Sequence, residues 1–140
     1  RIGRMASANE FTIELICDHD QEVFVDADEF KIYQVVYNLI NNALNYSGDS
    51  RHVIVRQECI GDTVKVSVQD FGPGIAKENL PLVWERYYKV DKEHRRSFNG
   101  SGLGLAIVRK ILELHNAQYG VDSTLGQGST FWFCLKVSDE

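Results

Sequence analysis

Residues 62–70, DTVKVSVQD, alternate strictly between apolar and polar side chains. The valines would lie on one face of a β-strand, and the polar residues between them (Lys65, Ser67 and Gln69) on the other. A strand of this kind belongs to a sheet that is covered on one face. Gly61 and Asp62 separate it from another strand-like run, so the two runs are predicted to form a hairpin.

Five other segments have the composition or alternation of strands, at 10–17, 22–26, 52–59, 117–123 and 129–137. Apolar residues recur with helical period over 28–46 and 103–115, and a short helix is expected near 77–85. Residues 86–101 show no periodicity and are expected to form a long loop. A mixed or antiparallel sheet with helices on one face accounts for this order of elements.

The start of the first helix has a recognisable signal. Asp26 is followed by Glu29 three positions later, which is the spacing of a capping box. We therefore expect Asp26 to be the N-cap of the helix at 28–46.

Composition limits the possible functions. The chain has 140 residues and a formal net charge of -5, which fits one domain over 1–140 and argues against a nucleic-acid or membrane surface, because such surfaces are basic. No apolar run approaches the roughly 20 residues that cross a bilayer.

Asparagines are concentrated in NLINNALNY, at 38–46. Asparagine is a poor helix former, yet Asn38, Asn42 and Asn45 fall together on a helix, beside the apolar stripe. A solvated polar face is one interpretation. Binding is the other, because amide oxygens are ligands for Mg²⁺ and amide nitrogens donate to phosphate oxygens.

Two glycine-rich segments also allow binding. DFGPG at 70–74 can be a simple tight turn, but the ionised Asp70 can only accept hydrogen bonds and would favour the amine of adenine over the carbonyl of guanine. GSGLGL at 100–105 opens a helix, where free backbone N–H groups form a phosphate site. It matches neither the dinucleotide fingerprint nor Walker A. The loop before it is basic, as a lid over a polyphosphate would be.

Taken in order, these segments resemble the catalytic, ATP-binding domain of sensor histidine kinases, in the superfamily that includes DNA gyrase B and heat-shock chaperones. The resemblance spans 22–137 and rests on five motifs: QVVYNLINNALNY, DFGPGI, WERYYK, GSGLGLAIV and GQGSTF. It implies an α/β (α+β) two-layer sandwich, with a mixed, mostly antiparallel sheet of about five strands, about three helices and a mobile ATP lid at 86–101 that orders when nucleotide binds.

The resemblance also implies roles for individual residues, with ATP and Mg²⁺ as cofactors. Asn42 would coordinate Mg²⁺, Asn38 would approach the phosphates, and Asp70 would bind the adenine amine. Lys89 stands where the family has an arginine that reaches the γ-phosphate, and Asn45 where it has a lysine on the phosphates. The base and the phosphates would also contact Tyr46, Gly72, Gly74, Ile75, Gly100, Ser101, Gly102, Leu103, Gly104, Leu105 and Ser129.

The same resemblance implies that the chain is one half of an enzyme. None of the histidines His19, His52, His94 and His115 has the sequence context of a phosphoacceptor, so the acceptor would lie on a separate helical dimerisation domain that passes phosphate to a response regulator. The expected location is a cytoplasmic domain, monomeric alone, in a dimeric and membrane-anchored sensor. A nucleotide-sensing module without transfer activity, and a serine kinase or ATPase of the superfamily, remain the alternatives.

Overall fold

The computed structural model describes residues 2–6, 12–18, 23–47, 50–85 and 104–138. Within these ranges one sheet contains six strands, β1 (Ile2–Ala6), β2 (Thr12–Cys17), β3 (His52–Ile60), β4 (Thr63–Asp70), β5 (Gln118–Thr124) and β6 (Gly128–Lys136). The helices are α1 (Glu29–Tyr46), α2 (Gly104–Leu114) and a short 3₁₀ helix (Lys77–Leu82).

The strand order is β1-β2-β3-β4-β6-β5. Of the strand pairs in these ranges, β2 and β3 run parallel and the others antiparallel. This arrangement confirms the predicted mixed, mostly antiparallel sheet with helices, and β3 and β4 form the predicted hairpin at Gly61. The sheet has six strands in the described residues, where the resemblance implied about five.

The core lies between the helices and one face of the sheet, as the alternation in β4 predicts. Val68 of β4 and Phe133 of β6 are almost fully buried, and they meet Val35 and Leu39 of α1 and Leu112 of α2 in one apolar cluster. On the opposite face, Lys65 is only half-buried, and its ammonium group lies 4.9 Å from the centre of the Trp132 ring.

The two α-helices lie antiparallel. At one end, the backbone N–H of Asp28, which precedes α1, donates to Nε2 of His115, just after α2, at 3.0 Å. At the other end, Tyr46 of α1 and Leu105 of α2 line the same cleft. The cleft therefore lies between the C-terminal end of α1 and the N-terminal end of α2.

The expected N-cap at Asp26 is wrong. Asp28 caps α1, because its carboxylate accepts from the backbone N–H groups of Phe30 and Lys31. The backbone of Asp26 is held by the sheet instead, since its N–H donates to the carbonyl of Lys136. The chain is thus still bound to β6 two residues before the N-cap of the helix.

Three other expectations are corrected or extended. The described part of the segment 22–26, residues 23–26, contributes a single bridge, Val25 to Val137, rather than a strand. The helix expected near 77–85 is a 3₁₀ helix with Pro81 inside it, and β1 was not predicted. The loop at 86–101 and the first position of the helix predicted at 103–115 lie outside the described residues. No helix of the described ranges combines the length and hydropathy needed to cross a bilayer.

Candidate functional site

A cleft lies between the C-terminal half of α1 and the turn that follows β4. The cleft is open to solvent, and the free space between its lining atoms, counted out to its mouth, is ≈ 440 Å³. Its walls come from α1, the turn after β4, the start of α2, and β6. The lining residues are Asn42, Tyr46, Asp70, Pro73, Gly74, Ile75, Val83, Leu105, Ser129 and Phe131.

Asp70 is the buried acid of this cleft. Only 3% of its surface is exposed. Its carboxylate accepts the backbone N–H of Gly72 at 2.9 Å and that of Ser129. Burial nevertheless raises the pKa of Asp70 to about 6 from 3.8, because losing water disfavours the charged form more than two hydrogen bonds favour it. A buried acid in a cleft that remains ionised at pH 7 is a candidate for function.

The glycines after Asp70 allow the turn to come close to its neighbours. A Cβ on Gly72 would lie 1.8 Å from the carbonyl oxygen of Tyr46, so only glycine lets the turn touch the end of α1. Gly74 has a φ of +79°, and a Cβ there would lie 2.3 Å from the carbonyl oxygen of Thr124. These two contacts hold Asp70 beside α1 on one side and the β5–β6 turn on the other.

A serine pair connects the same turn to the sheet. The backbone N–H of Ile75 donates to Ser123 Oγ at 2.7 Å, and Ser123 Oγ lies 2.8 Å from Ser129 Oγ. Ser129 lines the cleft and is 6% exposed. Ser123 was not predicted as a site residue, because a serine in an alternating strand resembles any polar strand position.

The asparagines of α1 do not form a solvated face. Asn42 is half-buried and lines the cleft, and Asn38 is half-buried one turn earlier on the same edge of the helix. Asn45 is only 6% exposed, and its Oδ1 has no hydrogen-bond partner in the described structure. An unpaired buried amide oxygen costs free energy, so this edge of the helix is not an ordinary surface.

The structure brings part of the predicted site together. The predicted residues that line the cleft are Asn42, Tyr46, Asp70, Gly74, Ile75, Leu105 and Ser129. Those that are described but do not line it are Asn38, Asn45, Gly72 and Gly104. Those outside the described residues are Lys89, Gly100, Ser101, Gly102 and Leu103. Three apolar wall residues, Pro73, Val83 and Phe131, were not predicted.

The donor set of the cleft suits a cation that arrives with its own ligands. In the described ranges, no three side chains of His, Cys, Asp or Glu are grouped as a metal site. The amide oxygen of Asn42 is a neutral oxygen ligand of the kind Mg²⁺ accepts, and Mg²⁺ completes its shell with phosphate oxygens and water. The cleft therefore fits Mg²⁺ carried by a polyphosphate.

Comparison with known proteins defines the class of protein. A family described as "Histidine kinase-, DNA gyrase B-, and HSP90-like ATPase" matches residues 27–139. The sensor histidine kinase WalK of Bacillus subtilis is 37% identical over 99% of this chain and 23% of its own length. The adaptive-response sensory kinase SasA of Crocosphaera subtropica is 39% identical over 91% of this chain and 34% of its own length.

Solved structures agree with the sequence comparison. The catalytic domain of histidine kinase ThkA superposes with a TM-score of 0.72 at 28% identity, covering 87% of this chain and 76% of that one. ShkA, crystallised full-length in complex with AMPPNP, gives 0.72 at 29% identity, covering 90% of this chain and 26% of ShkA.

The chain therefore belongs to the family of histidine kinase-, DNA gyrase B- and HSP90-like ATPases. Within it, the resemblance to catalytic domains of sensor histidine kinases is confirmed by the relatives and by the fold. The chain spans 23% and 34% of the lengths of WalK and SasA, so those relatives contain further parts.

Proposed function

We propose that this domain binds Mg-ATP in the cleft and supplies the γ-phosphate to a histidine on a separate helical domain of a sensor kinase. The observation that carries the proposal is Asp70, a buried carboxylate on the cleft wall with its pKa raised to about 6. Ionising this group in the empty cleft is costly, and a base that donates a hydrogen bond to it would offset part of that cost.

The adenine would lie between Tyr46 and the turn after β4. Asp70 accepts from the exocyclic amine, directly or through water. Gly74 and Ile75 leave room for the flat base, and Phe131 supplies an apolar floor beneath it. In the same cleft, Ser129 adds a second polar atom near Asp70.

The phosphates would extend from the base toward the start of α2. Asn42 would hold Mg²⁺, and Asn38, one turn earlier on the same edge of α1, would lie beside the phosphates. When bound, Mg²⁺ neutralises charge on the transferring phosphoryl group. Gly104 and Leu105 belong to the glycine segment whose earlier positions, with Lys89, are predicted phosphate contacts.

Transfer to histidine is favoured over hydrolysis by the residue at position 38. Superfamily members that activate water or a serine carry a glutamate four residues before the magnesium asparagine, as general base. Asn38 occupies that place on α1 and cannot take a proton. An imidazole acceptor has its own lone pair and needs less deprotonation by a base on this domain.

Calorimetry tests the binding step. ATP and ADP with Mg²⁺ should bind and GTP should bind much more weakly, and Asp70→Ala should lose about 1–3 kcal/mol of ATP binding. Undiminished ATP binding by Asp70→Ala would remove Asp70 from the site. Ser123→Thr, which keeps a hydroxyl beside the cleft, is a control for nonspecific disturbance.

A second candidate is a nucleotide sensor that transfers nothing. The observation that favours it is Asn45, which is neutral and buried at a position where a lysine would bring fixed positive charge. Mixing the domain with an acceptor domain and Mg-ATP separates the two. Acid-labile phosphate on the acceptor supports transfer, whereas tight ATP binding with no labelled acceptor supports the sensor.

A further inference from the structure

The hydrogen bonds of Ser123 fix the direction in which Ser129 points its hydroxyl proton. Ser123 is half-buried on β5 and is not part of the cleft wall. Its Oγ lies 2.7 Å from the backbone nitrogen of Ile75, 2.9 Å from the carbonyl oxygen of Gly128 and 2.8 Å from Ser129 Oγ. A serine hydroxyl has one proton and two lone pairs, so these three contacts use its full capacity.

The chemistry of the three neighbours assigns the protons. The N–H of Ile75 can only donate, so it takes one lone pair of Ser123. The carbonyl of Gly128 can only accept, so it takes the single proton of Ser123. The remaining contact uses the second lone pair, and Ser129 must therefore donate its own proton to Ser123.

Ser129 is left with lone pairs alone for the cleft that it lines. Asp70 is its partner in the register between β4 and β6 and lines the same cleft. The ionised carboxylate of Asp70 also accepts only. Two neighbouring strands thus present two acceptors to whatever enters.

We propose that Ser123 is a positioning residue that keeps Ser129 a hydrogen-bond acceptor, so that the cleft selects a purine with an amine at C6 over one with a carbonyl there. The inference rests on the proposed function, because it concerns the base of the bound nucleotide. The amine of adenine can donate to either acceptor. The C6 carbonyl of hypoxanthine or guanine would face both without a donor.

Ser123→Ala is the informative change, because it releases the proton of Ser129 to turn toward the cleft. Binding of ATP and of inosine triphosphate, which carries a carbonyl at C6, would be measured by calorimetry at pH 7.5. In the variant, the affinity for inosine triphosphate relative to ATP should rise about tenfold, the effect of roughly one hydrogen bond. Ser123→Thr keeps the hydroxyl and should keep the wild-type ratio.

A Ser129→Ala background separates positioning from structural damage. There, Ser123→Ala should leave the ratio unchanged, because no hydroxyl remains to turn. If Ser123→Ala does not fold, Ser123→Cys, whose thiol is a weak donor and acceptor, gives the same comparison.

Two results would overturn the inference. One is an equal loss of affinity for both nucleotides in Ser123→Ala, and the other is a changed ratio that persists without the Ser129 hydroxyl. A wild-type domain that binds neither nucleotide would instead refute the proposed function. Binding of ATP with an unmoved ratio refutes only the role of Ser123.

Discussion

Asp70 should make the empty domain less stable as the pH rises, and Asp70→Asn should remove that dependence. The pKa of Asp70 is about 6 in the folded protein against 3.8 for an unperturbed aspartate. Between these values the folded state binds more protons than the unfolded state. The free energy of unfolding therefore falls as the pH rises through this window. Below and above the window, the contribution of Asp70 does not change with pH.

The size of the effect follows from the two pKa values. Each pH unit of difference corresponds to about 1.4 kcal/mol, so about two units give roughly 2–3 kcal/mol between pH 4 and pH 7. No discount for solvent screening is needed, because the side chain is 3% exposed. Asparagine is neutral throughout, so the stability of Asp70→Asn minus that of the wild type should rise by this amount from pH 4 to pH 7.

Urea unfolding followed by tryptophan fluorescence measures this difference. Trp84 is a suitable reporter because it is buried, with ring centres 5.0 Å from Tyr119 and 5.4 Å from Phe131. Any constant cost of placing an amide at position 70 cancels when the same pair of proteins is compared across pH. Asp62→Asn, at the exposed β3–β4 turn, is the matched control for the same exchange of aspartate for asparagine outside the cleft.

If the stability of Asp70→Asn minus that of the wild type does not change with pH, the reasoning is refuted. This result would mean that the hydrogen bonds from Gly72 and Ser129 compensate for burial of the charge, and that Asp70 stores no free energy for a ligand to use. A difference that falls with pH would mean that the folded protein favours the charged form.

Three further predictions concern the rest of the molecule. Asn42→Ala should abolish phosphoryl transfer to a supplied acceptor domain. Its free energy of unfolding should stay within about 1 kcal/mol of the wild-type value, because the side chain lies at the polar edge of α1. A variant that unfolds would indicate that Asn42 has a structural role. The isolated domain should hydrolyse ATP very slowly and carry no acid-labile phosphate, since Asn38 provides no base, and rapid phosphate release would contradict this. His115→Ala should lower the free energy of unfolding by about 0.5–1.5 kcal/mol in urea titrations, because the exposed Asp28 N–H before α1 loses its acceptor, and an unchanged midpoint would show that water replaces the ring.

Local periodicity predicted the elements whose stability depends on burying one face. The alternation in β4 and β6 and the helical stripe of α1 each fix a face, and the structure buries those faces. β1 could not be predicted in this way. It is an edge strand held by backbone hydrogen bonds to β2, and backbone pairing leaves no pattern in the side chains. The N-cap of α1 was misplaced for a related reason, because a backbone bond to Lys136 outweighed a local side-chain signal.

The candidate site was predicted where residue type alone limits the chemistry. An acid before two glycines and aligned asparagines on a helix are unusual enough to indicate binding without any knowledge of the fold. The contact between Ser123 and Ser129 is local, but it depends on the register in which β5 and β6 pair. The apolar wall at Val83 and Phe131 arises only when distant segments meet. His115 is similar, since its role depends on Asp28, 87 residues earlier in the chain.

The positions that break local rules lie in the same part of the molecule. The pKa of Asp70 is raised by burial, and Asn45 buries an amide oxygen that has no hydrogen-bond partner in the described structure. The turn at Gly72 lies so close to α1 that a single methyl group at this position would collide with the backbone of the helix. The buried acid and the unpaired amide oxygen both cost stability in the ligand-free domain. Costs of this kind persist where function needs them. A bound molecule that donates to Asp70 would recover part of that free energy, which is why the cleft, rather than the well-packed sheet, is the place where the domain should respond most to its ligand.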